Sequence, residues 1–295
     1  MAQRGFVGQA SLPQDEMSLR EARPYPSNRL DPILTTDMNI KQKNIEQNLR
    51  QVEARIAEAA LRSGRDPAEI TLVAVTKTHP PAAVVAAYRA GARHFGENRV
   101  EEGGEKIPIV RTALEDKELK GSDAQPPVWH MIGHIQSRKA QAVVADFDVV
   151  HSVDRLKIAR RLSHFVSLRA DNRPLPILLE CNVSGEASKF GFDMAGWEQD
   201  ASRRTAFFSA VDEISHLPGL SLEGLMTMAP QTDDPETVRP VFASLRALQE
   251  ALRERFPALP WSHLSMGMTD DFEVAIEEGA TIVRIGRAIF GPRGK

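Results

Sequence analysis

From about residue 40 onward the sequence keeps one rhythm: a short apolar run of strand character, a polar turn, then a stretch with helical spacing. Eight such runs occupy 70–76, 94–95, 128–132, 148–152, 176–183, 220–226, 263–266 and 281–285. Strands separated by helix-length connections pair in parallel, because a parallel neighbour is reached only by a crossover. Runs such as "ILLECNV" and "TIVRI" are apolar almost throughout instead of alternating, the pattern of strands buried on both faces. Two architectures satisfy this pattern, an open doubly wound sheet and a closed eight-stranded barrel. An open nucleotide-binding sheet carries a glycine-rich loop after its first strand, whereas here that strand runs into "TKTHPP", without glycine. The roughly 250 residues available are the usual size of the barrel. The expected fold class is therefore α/β, a single (β/α)8 TIM barrel spanning residues 38–295.

Residues 1–37 do not share the rhythm. They hold four prolines, scattered charge and no sustained period, and read as a disordered N-terminal extension, with Met17 and Met38 as alternative starts. Acidic residues within the extension argue against a transit peptide. The first helical stripe follows, with Ile45, Leu49, Val52, Ile56 and Ala60 on one face, Thr36 or Asp37 as a cap and Gly64 as a stop. At 295 residues and 42 % hydrophobic composition, the chain is long enough to bury a substantial core. A net charge of −3 gives no basic excess for nucleic acid or an anionic membrane. No apolar run approaches the ~20 residues of a membrane helix. The single cysteine, Cys181, excludes an internal disulfide framework and suits a reducing compartment, so a cytoplasmic location is expected.

In a (β/α)8 barrel, function sits on the loops that follow the strands. Lys77 closes the first run, on the same strand parity as Val73 and Val75. An ammonium there has two readings. Desolvated inside the barrel mouth, it favours the neutral amine that condenses with carbonyls to form a Schiff base; alternatively it snorkels out of the strand end to water. "SMGMTDD" (265–271) and "VRIGRAIFG" (283–291) end the last two strands, where phosphate sites of these barrels are frequent. Ser265, Gly267 and Gly286 can together form a phosphate cup, or the glycines can merely permit tight turns. Arg284 lies within an apolar strand and needs a partner, either a core carboxylate such as Glu180 or an acceptor atom on a ligand. Asn98, in "FGENRVEE", can bind a ligand or cap the next helix. His130 and His134 stand four residues apart without the third ligand and neighbouring Glu of a helical zinc motif, so no metal is expected. His130 reads as a packed, hydrogen-bonded histidine and His134 as a pocket residue.

Six stretches, "LVAVTKTHP", "HFGENRVEE", "WHMIGHIQSRKAQAV", "GLMTMAP", "LSMGMTDDFEVAIEEGAT" and "VRIGRAIFG", carry a more specific signal through their order. With them the chain resembles the pyridoxal-phosphate homeostasis proteins, relatives of the barrel domain of alanine racemase. The resemblance implies that Lys77 holds pyridoxal 5′-phosphate as a Schiff base and that Arg284 faces the pyridine nitrogen. It places the phosphate near Ser265 and the backbone N–H groups of Gly286 and Arg287. Asn98, His134, Met226 and Gly267 are implied as further lining. Position 287 is often a small hydroxyl residue in such proteins; Arg287 keeps the backbone contact and loses the hydroxyl one.

A permanently charged donor at the pyridine nitrogen discourages its protonation and weakens the ring as an electron sink. Racemisation needs a second acid–base group opposite Lys77. The tyrosines, Tyr25 and Tyr88, are badly placed for it, and the chain stops at the barrel, without the C-terminal domain of alanine racemase. The function implied is a non-enzymatic carrier in intracellular vitamin B6 homeostasis and cofactor supply. The alternatives are a pyridoxal-phosphate-dependent amino-acid racemase and a Schiff-base aldolase-type barrel enzyme. The expected partners are the cofactor and apo forms of pyridoxal-phosphate enzymes, with neither nucleic acid nor membrane, and the expected state is a monomer.

Overall fold

All eight apolar runs become strands, within one or two residues of their expected limits. The computed structural model describes residues 32–115 and 125–292, with the side chains of its first helix from Asn44 onward. The strands are β1 (Thr71–Val75), β2 (His94–Glu97), β3 (Val128–Met131), β4 (Val149–Val153), β5 (Leu175–Asn182), β7 (Leu220–Met226), β8 (His263–Ser265) and β9 (Ile282–Ile285); a two-residue strand, β6 (Phe192–Asp193), pairs only with β5. Every pairing is parallel, and the β1–β9 and β4–β5 contacts close the eight long strands into a (β/α)8 barrel.

The helices between the strands are α2 (Pro81–Arg89), α3 (Val100–Leu114), α4 (Ala140–Asp146), α5 (Leu156–Val166), α6 (Ala201–Ser215), α7 (Arg239–Arg255) and α8 (Phe272–Glu277), and the four-residue α9 (Arg287–Phe290) follows the last strand. α2 begins with Pro81 in its first turn, where the missing N–H and fixed φ are tolerated. Before them lies α1 (Pro32–Arg62), so Thr36 and Asp37 fall within the helix and do not cap it. Its stripe of Ile45, Leu49, Val52, Ile56 and Ala60 is buried as the spacing requires. Gly64, at φ 71°, ends it: the Arg65 N–H reaches back to the Ala60 carbonyl at 2.9 Å. Residues 1–31 of the expected extension lie outside the described residues.

α1 lies along the outside of the barrel seam. Asn48 donates to the Ile289 carbonyl, Arg55 pairs with Glu273, Arg62 with Glu277, and Arg65 donates to the carbonyls of Ile276 and Ala280. The main hydrophobic core fills the shell between strands and helices, with Phe95, Trp129, Phe242 and Phe272 fully buried in it.

Strand alternation sends the other side chains into the barrel. Val73, Leu178, Met226 and Ile282 form a small second cluster there. Much of the remaining interior is polar: His130, His151, Glu180, Ser265 and Arg284 are all buried. Branched apolar residues ordinarily dominate such an interior, and hiding these groups is unfavourable unless they bond to one another.

Candidate functional site

The strand ends surround a cavity of about 630 Å³, within the range of small-molecule sites. Val75 and Lys77 enter it from the end of β1, Asn98 from the loop after β2, and Ile132 from the loop after β3. The loop after β7 contributes Met228, Pro230, Gln231 and Thr232; the loop after β8 contributes Met268, Thr269, Asp270 and Asp271; and β9 with its loop contributes Arg284, Gly286 and Arg287.

Lys77 is half-buried, follows Val73 and Val75 in strand parity and lines the cavity. Its turn is held from behind. Thr78 takes φ 66°, a left-handed conformation that is unfavourable for a β-branched residue. Glu102 accepts the Thr78 N–H, and the His79 N–H closes the turn on the Thr76 carbonyl at 3.0 Å. Lys106, itself buried, locks this arrangement by donating to the Thr76 carbonyl at 2.7 Å, to Glu97 Oε1 at 2.6 Å and to Glu102 Oε1 at 2.9 Å. Burial pushes the Glu97 carboxyl up, against the opposing pull of Lys106. The network belongs to the shell between β2 and α3, and it anchors the backbone on both sides of Lys77.

Arg284 is fully enclosed apart from its cavity face. Nη1 donates to Ser265 Oγ at 2.6 Å and Nη2 to the Thr227 carbonyl at 2.8 Å. No carboxylate forms an ion pair with it among the described residues, so Glu180 is not the partner that the sequence allowed. A guanidinium has five N–H donors, and two are used here. Burial pulls its pKa down to about 10, while Asp271 and Glu180 act to raise it, so the group remains a cation at neutral pH.

Gly286 caps the single turn of α9; the Ile289 and Phe290 N–H groups both bond its carbonyl, at 3.0 and 2.9 Å, and the N–H groups of Arg287 and Ala288 have no intrahelical acceptor. A Cβ on Gly286 would sit 3.2 Å from the Val75 carbonyl oxygen, so glycine lets β9 and β1 stay close at the cavity wall. Arg287 lies at the rim and pairs with Asp270 at 2.5 Å. Asp271 accepts the Met268 N–H at 2.6 Å, and burial pushes its carboxyl up.

Of the nine residues expected at the site, Lys77, Asn98, Arg284, Gly286 and Arg287 line the cavity, whereas His134, Met226, Ser265 and Gly267 do not. Ser265 is wholly buried behind Arg284, so the expected Ser265–Gly267–Gly286 cup is not assembled as drawn. Gly267 has φ 93°, and a Cβ there would meet Ala275 Cβ at 2.7 Å, so its role is to let the strand end pass α8. Met226 belongs to the interior cluster beneath the cavity. His134 stacks on Phe190 with ring centroids 4.0 Å apart, and its Nδ1 lies 2.9 Å from Asp154 Oδ2. Asn98 is not the cap of α3: that position is Arg99, without a side-chain cap bond. Gly133 holds Asn98 in place, since a Cβ on it would fall 2.2 Å from the Asn98 carbonyl oxygen.

The alanine racemase N-terminal domain family matches residues 40–294. A pyridoxal phosphate homeostasis protein of Pseudomonas aeruginosa is 44% identical over 249 residues, 84% of this chain and 96% of the relative. Its Escherichia coli counterpart is 40% identical over 253 residues, 85% and 97% of the two chains. The chain belongs to the pyridoxal phosphate homeostasis protein family. PipY of Synechococcus elongatus, solved with PLP bound, is 33% identical with a TM-score of 0.62, covering 80% of this chain and 100% of PipY. Alanine racemase from Corynebacterium glutamicum, at 16% identity and a TM-score of 0.56 over 85% of this chain and 62% of its own, shares the fold alone.

In this homeostasis-family chain, sequence reasoning missed Met228, Thr269 and Met268 as lining. All three stand in the strand-end segments "TMAP" and "GMTDD", so their loops were identified and their side-chain directions were not.

Proposed function

We propose that the chain binds pyridoxal 5′-phosphate covalently through Lys77 as a Schiff base and serves intracellular vitamin B6 homeostasis and cofactor supply. The observation that carries this reading is one cavity lined at once by a strand-end lysine, a buried arginine with unused donors and the first turn of a helix.

The residues present fit the cofactor. Bound there, its aldehyde would supply an electrophilic carbon to amines. Lys77 provides the amine that attaches it, aimed by the Thr78 turn and the Lys106 network. Arg284, which lines the cavity with N–H donors to spare, would hold the ring nitrogen as an acceptor. The first-turn N–H groups at Gly286 and Arg287 would receive the phosphate, and the Arg287 side chain, paired with Asp270 at the rim, would offer it a further cation. Asn98 lies along the same wall. Ser265, Gly267, Met226 and His134 would support the lining without forming it; Ser265 acts through Arg284. The relatives named as homeostasis proteins and the PLP-bound state of PipY agree with this assignment.

A carrier without turnover is favoured over a racemase because no tyrosine is among the described residues that line the cavity, whose titratable side chains besides Lys77, Arg284 and Arg287 are His79, Asp270 and Asp271. The Tyr88 hydroxyl is committed to the Gln125 carbonyl at 2.6 Å, outside the barrel interior, and Tyr25 lies outside the described residues. We assign residues 38–295 to the barrel and residues 1–37 to an extension, and the protein to the cytoplasm as a monomer that supplies apo forms of pyridoxal-phosphate enzymes. No described helix is long and apolar enough to cross a membrane. The decisive experiment is the absorbance spectrum of purified protein, followed by borohydride reduction and peptide mapping. A yellow, borohydride-sensitive chromophore on the Lys77 peptide is expected. A colourless protein that gains no adduct from added pyridoxal 5′-phosphate refutes the reading, and robust D/L interconversion of amino acids refutes the carrier role.

A further inference from the structure

A line of hydrogen bonds threads the polar side of the barrel interior. His94 Nδ1 lies 2.9 Å from His130 Nε2, His130 Nδ1 lies 2.8 Å from His151 Nε2, and His151 Nδ1 lies 2.9 Å from Ser265 Oγ, which accepts from Arg284. β4 and β8 are not neighbours in the sheet, so the His151–Ser265 contact crosses the interior. The line starts at His94, which borders a groove at the opposite end of the barrel, and finishes at the cation of the cavity.

The bonding leaves one arrangement of protons. Arg284 can only donate, so Ser265 Oγ accepts from it. Ser265 is fully buried, and the hydrogen-bond partners of its hydroxyl among the described residues are Arg284 and His151. Were His151 also to donate to Ser265, the serine proton would be buried without an acceptor, an unfavourable state. Ser265 therefore donates to His151 Nδ1. A neutral imidazole has one N–H, so His151 donates through Nε2 to His130 Nδ1, and His130 through Nε2 to His94 Nδ1. Burial keeps the imidazoles neutral, pulling His130 down to about 3 and His151 well below its ordinary value. Each ring then turns its lone-pair side toward Arg284, an orientation that favours a positive charge there.

We propose that Ser265, His151, His130 and His94 form one positioning unit for Arg284, a line of Nε2-protonated imidazoles that holds the serine oxygen as an acceptor and keeps the guanidinium at the cavity. The consequence for a bound ring rests on the function proposed above; the proton arrangement does not. The test uses the full chain labelled with 15N-histidine, free of pyridoxal 5′-phosphate, in long-range 1H–15N correlation spectra. His94, His130 and His151 should all show the neutral Nε2–H pattern at neutral pH, and an Nδ1–H or doubly protonated His130 or His151 overturns the proposal. Ser265→Ala removes the donor that sets the direction, so the ring signals of His94, at the far end, should change, and Ser265→Thr should restore them. Unchanged His130 and His94 tautomers in Ser265→Ala refute the unit. In the loaded protein, Ser265→Ala should retain pyridoxal 5′-phosphate about tenfold less tightly, the size of a hydrogen bond to a charged group, while the adduct still maps to Lys77. A wild-type protein that forms no adduct sinks the functional reading, whereas a normal wild-type adduct with unaltered retention in Ser265→Ala sinks this inference.

Discussion

Glu180 should make the protein less stable as the pH rises, and Glu180→Gln should remove that loss. The side chain sits at an inward position of β5, beside Met226 in register, and is 3% exposed. Its Oε2 has no hydrogen-bond partner among the described residues. Burial pushes its pKa from 4.5 up to about 7, Asp154 adds to the rise and Arg284 opposes it. Below pH 4.5 the carboxyl is protonated in both folded and unfolded chains and contributes nothing. Between 4.5 and about 7 the unfolded chain ionises while the folded one keeps its proton, and stability depends on the difference in protons bound. Because the folded pKa lies above the unfolded one, this group costs stability progressively through that window. Above pH 7 the cost levels off. With about 1.4 kcal/mol for each tenfold change in proton affinity, the plateau is about 3 kcal/mol. Urea unfolding of wild type and Glu180→Gln at several pH values isolates this group, since other titrations are common to both. The variant's advantage should grow from below about 1 kcal/mol at pH 5 to about 3 kcal/mol at pH 8. A difference that stays flat across that range would show that Glu180 ionises as an ordinary solvated carboxylate, and the account of a closed polar interior would fail with it.

Lys77→Ala should abolish the borohydride-trappable adduct and leave the circular dichroism spectrum unchanged; adduct retained on another peptide would show the wrong lysine was chosen. Lys106→Met leaves the Glu97 carboxylate buried without its cation and should cost about 3–5 kcal/mol, read by chemical denaturation; an unaffected midpoint would contradict the buried network. Gly224→Ala places a Cβ 2.0 Å from the His263 carbonyl oxygen and should destabilise by about 2 kcal/mol or more. Gly104→Ala, in mid-helix α3 with only the Asp146 carboxylate nearby at 3.2 Å, should instead stabilise by up to about 1 kcal/mol. Equal melting shifts for the two glycine variants would refute the packing distinction between them.

The strands were legible because a two-face-buried strand must be apolar throughout, a local property that "ILLECNV" displays without any knowledge of its neighbours. Phe192–Asp193 was not, since a two-residue strand leaves no period to detect. Lys77, Arg284 and Gly286 were legible from parity and strand-end position. Depth was not: Ser265 and Arg284 both face inward, yet one supports the other, and the order in which inward side chains stack depends on how far each strand is staggered when the barrel closes. The histidine line was hidden for the same reason. Its three imidazoles stand on separate strands, 36 and 21 residues apart, and only closure aligns them with Ser265, 114 residues beyond His151. The start of α1 was misread because capping residues at Thr36 and Asp37 look the same whether they begin a helix or sit inside one.

The placement of α1 also bears on synthesis. Two of the helices it docks against, α8 and α9, are synthesised long after it; its bond from Asn48 to the Ile289 carbonyl joins residues 241 positions apart. Until both are made, the nascent chain must therefore carry an amphipathic segment with part of its greasy stripe uncovered, a state that invites chaperones and aggregation. Completion of the ring and docking of that segment become one late, cooperative event, so a ribosome stalled before α8 would release a species with both ends of the fold unsecured.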